Sequence, residues 1–238
     1  MIFRIDDIGA SSKEFEQYGK WKIGNFWFLK RVKPFKKWGH YKELTKQEWV
    51  SFLAVFEQNN IKLTIAITAA WVEKDSSLTP FPQKFPEEAS ILKQASLDGK
   101  VEIANHGLTH CVVGKHLPKF FGSNRKFHRE FWSELPQEIH DEHILKSQEI
   151  LENFFEKPIS IFVPPGNIWS YKTYLALLKT NIKKVISRQY MQDSKKLMQG
   201  IEFVDDKQGF FCLHDKELKE KGLNWIKAKI YEVLRSRK

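Results

Sequence analysis

The stretch that decides the fold is VEIANHGLTH, residues 101–110. Its first half is mostly apolar and partly β-branched, with Val101, Ile103 and Ala104, as expected for a strand in a covered parallel sheet. Its second half places His106 and His110 four residues apart, directly after that strand. Two histidines at this spacing meet on one face if the segment turns helically, which suits one metal ion. Such a pair also arises by chance, so the prediction of a metal site depends on the residues at the ends of the other strands.

Short apolar runs, turn residues and helical patterns alternate along most of the chain. The candidate strands are Ile2–Ile5, Lys62–Ile67, Val101–Ala104, Ile159–Val163, Lys184–Ile186, Ile201–Val204 and Phe210–Leu213. The candidate helices are Thr45–Gln58, with the capping-box pair Thr45 and Glu48, then Pro86–Leu97, Gln137–Phe155, Ser170–Thr180 and Asn224–Arg235. This alternation predicts an α/β architecture with a parallel sheet, open or closed, and an active site at the carboxyl ends of the strands.

Length and composition agree with one globular domain over residues 1–238. The net charge is +10, from 39 Lys and Arg against 29 Asp and Glu, and 42% of the residues are hydrophobic. This excess would favour anionic partners such as a nucleotide, a diphospholipid head group or an acidic glycan, although a solvated basic surface is the simpler explanation. The basic residues are scattered and form no stripe with stacking aromatics, so we do not expect nucleic-acid binding.

The location of the protein is predicted from what the sequence lacks. It has no secretory signal and no apolar run near the length of a membrane span, so we expect a cytoplasmic protein with, at most, peripheral membrane contact. Its two cysteines, Cys111 and Cys212, exclude a disulfide framework but not a single bridge. In neither case does the setting suggest a nucleophile or a redox motif, so we expect both to be buried packing residues.

The segment Ser11–Tyr41 interrupts the alternation with many Trp, Phe and Lys residues. It comes after the first strand and is therefore expected over the active-site end, where Trp38 and His40 are candidates for substrate contact. A substrate cover, additional core and a dimer contact are all open for this segment.

Three further strand ends carry residues that could take part in catalysis or metal binding. The first ends in Asp6 and Asp7, two carboxylates that would point to opposite sides of an extended strand and could serve separate roles. The fourth ends in a Pro-Pro-Gly-Asn turn at 164–167, and the last ends close to His214. Each has an ordinary explanation on its own, as a cap, a plain loop or a structural histidine. Asp7, His106 and His110 together offer a ligand set suited to Zn²⁺, with Co²⁺, Mn²⁺ and Fe²⁺ as alternatives.

In this order, the motifs resemble those of the polysaccharide deacetylase superfamily (NodB-type, carbohydrate esterase family 4). Arg4–Gly9 resembles its Thr-Phe-Asp-Asp-Gly motif with one residue inserted, and His106–His110 resembles its His-Ser/Thr-x-x-His motif. Val163–Asn167 resembles its Arg-x-Pro-x-Gly motif, and Cys212–His214 its Leu-x-His motif. The resemblance spans residues 2 to about 215.

The resemblance implies a distorted, incomplete (β/α)7 barrel that binds a divalent metal. It implies that Asp7, His106 and His110 are the ligands and that Asp6 is the general base. His214 would then protonate the departing amine, and the backbone near Pro165 and Gly166 would complete the oxyanion site.

The sequence departs from the family pattern at three places. Val163 replaces the Arg that orients the catalytic Asp, and Arg4 and Arg188 are the candidates to take over this role. Gly107 stands where Ser or Thr is usual, and no convincing fourth, Asp-and-Trp motif is found.

The cluster at 140–143, His-Asp-Glu-His, lies on a candidate helix away from the strand ends, and we expect it to be a solvated face.

The expected function is a metal-dependent hydrolase that removes an N-acetyl or other N-acyl group from an amino sugar. Without a leader segment, a sugar nucleotide or a lipid-linked precursor in surface-polysaccharide or lipopolysaccharide biosynthesis is favoured over a cell-wall polymer. Two alternatives remain: a non-sugar amidase with the same metal site, and a carbohydrate-binding relative whose catalysis is impaired, suggested by the missing motif-three Arg.

Overall fold

The fold is taken from a computed structural model, which describes residues 2–15, 43–114, 129–207 and 209–235. Trp38, His40 and most of the predicted inserted segment lie outside these residues.

Nine strands are formed by the described residues: β1 (Ile2–Ile8), β2 (Leu63–Ile67), β3 (Ala70–Val72), β4 (Leu78–Pro80), β5 (Val101–Asn105), β6 (Ile161–Phe162), β7 (Lys184–Ser187), β8 (Glu202–Asp205) and β9 (Phe210–His214). Seven of them form one parallel sheet in the order β8-β7-β6-β5-β2-β1-β9, and β3 pairs with β4 in a small antiparallel hairpin.

The described helices are α1 (Ser12–Phe15), α2 (Lys46–Gln58), α3 (Phe81–Lys84), α4 (Pro86–Leu97), α5 (Gln137–Phe155), α6 (Tyr171–Leu177), α7 (Asp215–Lys221) and α8 (Leu223–Arg235). All seven predicted strands and all five predicted helices are therefore confirmed, with boundaries shifted by a few residues. Additional short elements are the β3–β4 hairpin and α1, α3 and α7. Each has at most seven residues, too few for an apolar period to stand out in the sequence.

The sheet curls around a small inner core. Ala66, Ala104, Ile161, Val163 and Ile186 pack together inside it, and Val204 of β8 and Phe210 of β9 contact this same cluster. Since β8 and β9 are the two edge strands, their meeting there shows that the sheet bends towards closure. The α/β fold predicted from the sequence, an incomplete (β/α)7 barrel, is confirmed.

The larger core lies between the outer face of the sheet and the helices. Along β2, Leu63, Ile65 and Ile67 point outwards into it while Ala66 points inwards, which is the two-residue period of a strand. All five residues of β2 are buried, as expected for a strand covered on both faces.

Helix α2 begins as its sequence predicts. Thr45 is the N-cap, and its side chain accepts from the Glu48 N–H while the Glu48 carboxylate accepts from the Thr45 N–H, forming a capping box. The apolar face of α2 packs into the larger core, where Trp49 and Phe52 are fully buried.

Among the described helices, we find none that combines the length and the apolar character needed to cross a bilayer.

Candidate metal centre

Asp7, His106 and His110 converge at the carboxyl end of the barrel. Asp7 Oδ1 lies 3.1 Å from His106 Nε2 and 3.1 Å from His110 Nε2. One potential ligand atom from each residue lies within 4.8 Å of the other two. The prediction that these three residues meet, although about a hundred positions separate the aspartate from the histidines, is thus met by the geometry.

The backbone reaches this arrangement through left-handed residues. Asp7 has φ 66°, and the pairing of β1 with β2 shifts register between Ile5 and Ile8, so the carboxylate leaves the regular alternation of the strand. His110 has φ 62° and Gly107 has φ 80°. The two histidines are therefore brought together by an irregular loop and not by the helical turn that their spacing would also allow. Non-glycine residues with left-handed backbone angles store strain of about 1–3 kcal/mol each and are concentrated at functional sites.

Each histidine is oriented by a contact on its other ring nitrogen. His106 Nδ1 lies 2.7 Å from the Val163 carbonyl oxygen, and His110 Nδ1 lies 2.8 Å from Ser12 Oγ. A carbonyl only accepts, so His106 must carry a proton on Nδ1, and in the neutral ring Nε2 is then an acceptor. That acceptor faces the Asp7 carboxylate, which also only accepts. A second proton on the ring or a cation is needed between them.

The residues present fit a divalent cation. Burial raises the pKa of Asp7. The charge of His110 and hydrogen bonds from both histidines lower it by more, so the net pKa lies well below its usual range. One carboxylate and two imidazoles form a donor set of the kind that binds zinc at catalytic sites.

Asp6 faces a different set of partners. Arg4 Nε donates to Asp6 Oδ1 at 2.7 Å, and Arg4 Nη2 donates to Oδ2 at 2.9 Å. The same Nη2 also donates to Asp206 Oδ2 at 2.9 Å. Cys212 Sγ lies 3.2 Å from Asp6 Oδ2, so this thiol contacts the candidate base and is not the plain packing residue that we expected. Cys111 is fully buried, and no disulfide joins it to Cys212.

Arg188, the other candidate to replace the motif-three Arg, does not take the position of Arg4. Its Nε lies 3.4 Å from Asp206 Oδ1, its side chain is 59% exposed, and the structure gives it no contact with Asp6. Of the two candidates, the structure brings only Arg4 to the carboxylate of Asp6.

His214 lies at the end of β9, paired in register with Asp6. Its Nε2 is 3.9 Å from Asp7 Oδ2 and its Nδ1 is 3.5 Å from Glu217 Oε2. Burial lowers the pKa of His214, but the hydrogen bond to Glu217 and the charges of Asp7 and Asp6 outweigh this effect and raise it to about 9. The half-exposed imidazole thus lies near Asp7, and its surroundings favour the protonated form.

The turn after β6 lies against the guanidinium of Arg129, a residue that none of the sequence motifs includes. Pro165–Asn167 form a 3-10 turn in which Gly166 has φ 59°. A Cβ at Gly166 would collide with Arg129 Nη1, so the guanidinium lies directly against the glycine. The Asn167 side chain accepts from the Arg188 N–H at 3.0 Å, which fixes the other end of the turn.

The histidines on α5 are buried, so the expected solvated face is wrong for them. His140 is fully buried and His143 is 7% exposed, while Asp141 and Glu142 do lie on the outer side. Burial lowers the pKa of His140 to about 4, and its Nδ1 lies 3.0 Å from Thr173 Oγ1. His143 instead contacts Glu130, a buried carboxylate beside the His106–His110 loop. Helical periodicity places residues 140, 143, 144 and 147 on one face, and this signal could have revealed the inward histidines.

Comparison with known proteins agrees with these motifs. The model of the family described as polysaccharide deacetylase matches residues 41–185, more than half of the chain. No curated protein matches. Solved structures to which the chain is similar include a family 4 carbohydrate esterase pseudoenzyme from Bacillus anthracis (13% identity, 60% of this chain and 39% of that chain, TM-score 0.41). Others are IcaB from Ammonifex degensii (11% identity, 67% and 58%, TM-score 0.43) and a de-N-acetylase from Aggregatibacter actinomycetemcomitans (12% identity, 88% and 95%, TM-score 0.40).

The chain spans about two fifths of the length of the first of these structures. The family match includes the metal-site histidines and the Pro164–Asn167 turn, whereas Asp6, Asp7 and His214 lie outside its limits. On this match, the chain belongs to the polysaccharide deacetylase family.

Proposed function

We propose that the protein is a metal-dependent hydrolase that removes an N-acyl group, most simply acetyl, from an amino sugar. The observation that carries this proposal is the convergence of Asp7, His106 and His110 to within one coordination sphere at the carboxyl rim of the barrel. Family membership supports the choice of a carbon–nitrogen bond in an acetylated sugar.

These three residues would hold the cation, which when bound supplies Lewis-acid polarisation of a carbonyl and lowers the pKa of water. Asp6, held by Arg4, accepts the proton of the attacking water as general base. His214 carries a proton near neutral pH, because its pKa is raised to about 9, and donates it to the departing amine. The backbone N–H of Gly166 would donate a hydrogen bond to the developing oxyanion.

The pair of Arg4 and Asp6 favours an active enzyme over a binding protein with impaired catalysis. The missing motif-three Arg was the reason to consider lost catalysis. A buried guanidinium nevertheless donates two hydrogen bonds to the carboxylate of Asp6, from its own strand. A bidentate Arg–carboxylate pair fixes both the charge and the orientation of the carboxylate.

The substrate that we favour carries phosphate, as a sugar nucleotide or a lipid-linked precursor of a surface polysaccharide. Arg129 lies against the Gly166 turn, and the net charge of the chain is +10. Guanidinium groups recognise phosphate through paired hydrogen bonds. A non-sugar amidase with the same metal site is the second candidate, because the metal centre alone does not select a sugar.

The test combines metal analysis with product release. Protein purified without chelator is expected to hold about one equivalent of zinc or a related metal, and to release acetate from at least one member of a panel of N-acetyl sugars, sugar nucleotides and lipid-linked sugars. Metal binding without acetate release from any member would favour the amidase, and sugar affinity without turnover would favour an impaired relative. A structure soaked with zinc should place the three ligand atoms roughly 2.0–2.2 Å from the ion. Their separation by more than a coordination sphere would refute the proposal.

A further inference from the structure

The loop that carries the two histidine ligands is held by a buried carboxylate from another part of the chain. Glu130 is 1% exposed and lies 20 residues after His110. Its Oε1 accepts from the N–H groups of Leu108 and Thr109 at 2.7 and 3.1 Å. Its Oε2 accepts from the His110 N–H at 2.8 Å. Three consecutive backbone donors therefore point at one carboxylate.

This contact opposes the strain in the loop. Gly107 and His110 both have positive φ, and a non-glycine residue such as His110 is unfavourable there. Such a conformation persists only when its surroundings over-determine it. Charge-assisted hydrogen bonds are roughly twice as strong as neutral ones, and here they connect to the backbone of the ligand residue itself.

Glu130 has a partner that balances its charge. His143 Nδ1, from α5, lies 2.7 Å from Glu130 Oε1, and both side chains are buried. Burial lowers the pKa of His143, but the hydrogen bond and the charge of Glu130 raise it more, so its net pKa lies above the usual value. A buried carboxylate without such a partner would cost several kcal/mol.

The same carboxylate accounts for the glycine at position 107. A Cβ on Gly107 would collide with Glu130 Oε2 and would lie 3.0 Å from Phe131 Cε2. The space that a Ser or Thr side chain would need is thus occupied by Glu130. A glycine at position 107 and a carboxylate at position 130 are therefore needed together, because the carboxylate fills the space that the usual hydroxyl side chain would occupy.

We propose that Glu130, supported by His143, is the positioning residue that holds the Gly107–His110 loop in its metal-binding conformation. The proposal rests on the proposed metal centre. Glu130 contacts the backbone of the loop and not the reacting atoms, so its effect is on metal affinity first and on turnover through the metal.

The test measures metal affinity in the full chain. Glu130→Gln keeps the shape but removes the charge, and its amide group would turn a donor towards the loop N–H groups. Outer-shell partners of metal ligands typically contribute 10–100-fold to affinity, so the Kd for Zn²⁺, measured by chelator competition, should rise by about 10–100-fold. The visible spectrum of the Co²⁺-loaded protein should change, since it reports ligand geometry. Glu134→Gln, the same substitution at an exposed position of the same segment, should match the wild type in both measurements.

A second variant keeps the test decisive if Glu130→Gln does not fold. His143→Gln leaves the carboxylate and its three backbone donors in place and removes only the cationic partner, so a smaller rise in the Kd, about 3–10-fold, is expected. A folded Glu130→Gln or His143→Gln variant with the wild-type Kd for Zn²⁺ and the wild-type Co²⁺ spectrum would overturn the positioning role. If the wild type itself binds no metal, it is the proposed function that fails.

Discussion

The guanidinium of Arg4 and the carboxylate of Asp6 lie side by side on one face of β1, joined by two hydrogen bonds of 2.7 and 2.9 Å. Residues two apart on a strand point to the same side, so a single strand supplies both the candidate base and the cation that orients it. Asp206 Oδ2 accepts from Arg4 Nη2 and fixes the guanidinium from the far edge of the sheet. This pair makes Arg4 the residue expected to replace the motif-three Arg.

Arg4→Lys should keep the fold and lower kcat by about 10–100-fold with little change in KM. A lysine keeps the charge but cannot donate two parallel hydrogen bonds, so Asp6 loses its orientation, and small misplacements of a catalytic group can cost about 100-fold. Steady-state kinetics at saturating metal would show the effect. Arg188→Lys is the matched control, because Arg188 is largely exposed and contacts only Asp206 among these carboxylates. Equal losses in the two variants would contradict the assignment.

Asp6→Asn should retain the metal and lose turnover. The amide cannot take a proton from water, and a general base typically contributes about 10²–10⁴-fold. Metal content by elemental analysis and acetate release together separate this result from the loss of a ligand. Asp205→Asn, the same change at an exposed position at the end of β8, should leave both unchanged. A fully active Asp6→Asn variant would mean that another group is the base.

His106→Ala should abolish metal loading, whereas His214→Ala should load metal normally and lose most of its turnover. His106 offers Nε2 to the candidate metal centre, and its ring is held by the Val163 carbonyl. His214 Nε2 lies 3.9 Å from Asp7 Oδ2. Elemental analysis of both variants, with circular dichroism to show that each is folded, decides the matter. Metal retained in His106→Ala would remove this histidine from the ligand set.

The sequence predicted the sheet and the meeting of the three candidate ligands because both arise from local pattern. Apolar runs locate β1 and β5, and parallel strands put their carboxyl ends at one edge, so Asp7 and His106 were expected at the same rim although β2 lies between their strands. The residues that hold the site were harder to predict. Glu130 belongs to none of the sequence motifs, and its role depends on a contact with backbone N–H groups that leaves no trace in the sequence.

Two features of the site differ from what the local sequence suggests, each for its own physical reason. The spacing of His106 and His110 suits a helical turn. Gly107 and His110 instead adopt positive φ, because Glu130 accepts hydrogen bonds from the loop N–H groups. His143 looked solvated because it lies in a polar run, yet helical geometry turns it towards that carboxylate. Tertiary hydrogen bonds thus hold the loop conformation, whereas the inward position of His143 follows from the helical period of α5 itself.

Arg129→Ala should raise KM for substrates that carry phosphate and leave KM for neutral N-acetyl sugars unchanged. The guanidinium lies against Gly166 at the rim, and loss of one phosphate contact also reduces the salt dependence of binding. A sugar nucleotide and a lipid-linked sugar diphosphate, each compared with the neutral sugar, separate the two phosphate sources. Arg235→Ala, at an exposed position on α8, is the control. Equal effects on charged and neutral substrates would argue against phosphate recognition by Arg129.

A buried group of charges lies beside the site. Lys13 Nζ is 2.5 Å from Asp215 Oδ2 and 3.5 Å from Glu43 Oε1. Glu88 is 7% exposed, and within the described part of the chain its Oε2 has no hydrogen-bond partner. Burial and the charges of Glu43 and Asp215 raise the pKa of Glu88 to about 8, against the opposing effect of Lys13 and Lys219.

This shift makes stability fall as the pH rises. The folded protein keeps the Glu88 proton up to about pH 8, whereas the unfolded chain releases it near the ordinary value of 4.5. Between these values the native state binds more protons, so the contribution of Glu88 to the free energy of unfolding is fully present below pH 4.5 and is lost towards pH 8. The slope is at most about 1.4 kcal/mol per pH unit.

Glu88→Gln should flatten this dependence, because the amide stays neutral at every pH. Urea unfolding at pH 5, 7 and 9 is expected to show the variant gaining stability over the wild type as the pH rises, by about 1 kcal/mol or more at pH 9. Glu87→Gln is the matched control, since the neighbouring side chain is exposed, and its profile should match that of the wild type. Parallel profiles for Glu88→Gln and the wild type would mean that Glu88 is ionised in the folded protein, and that Lys13 balances three carboxylates instead of two.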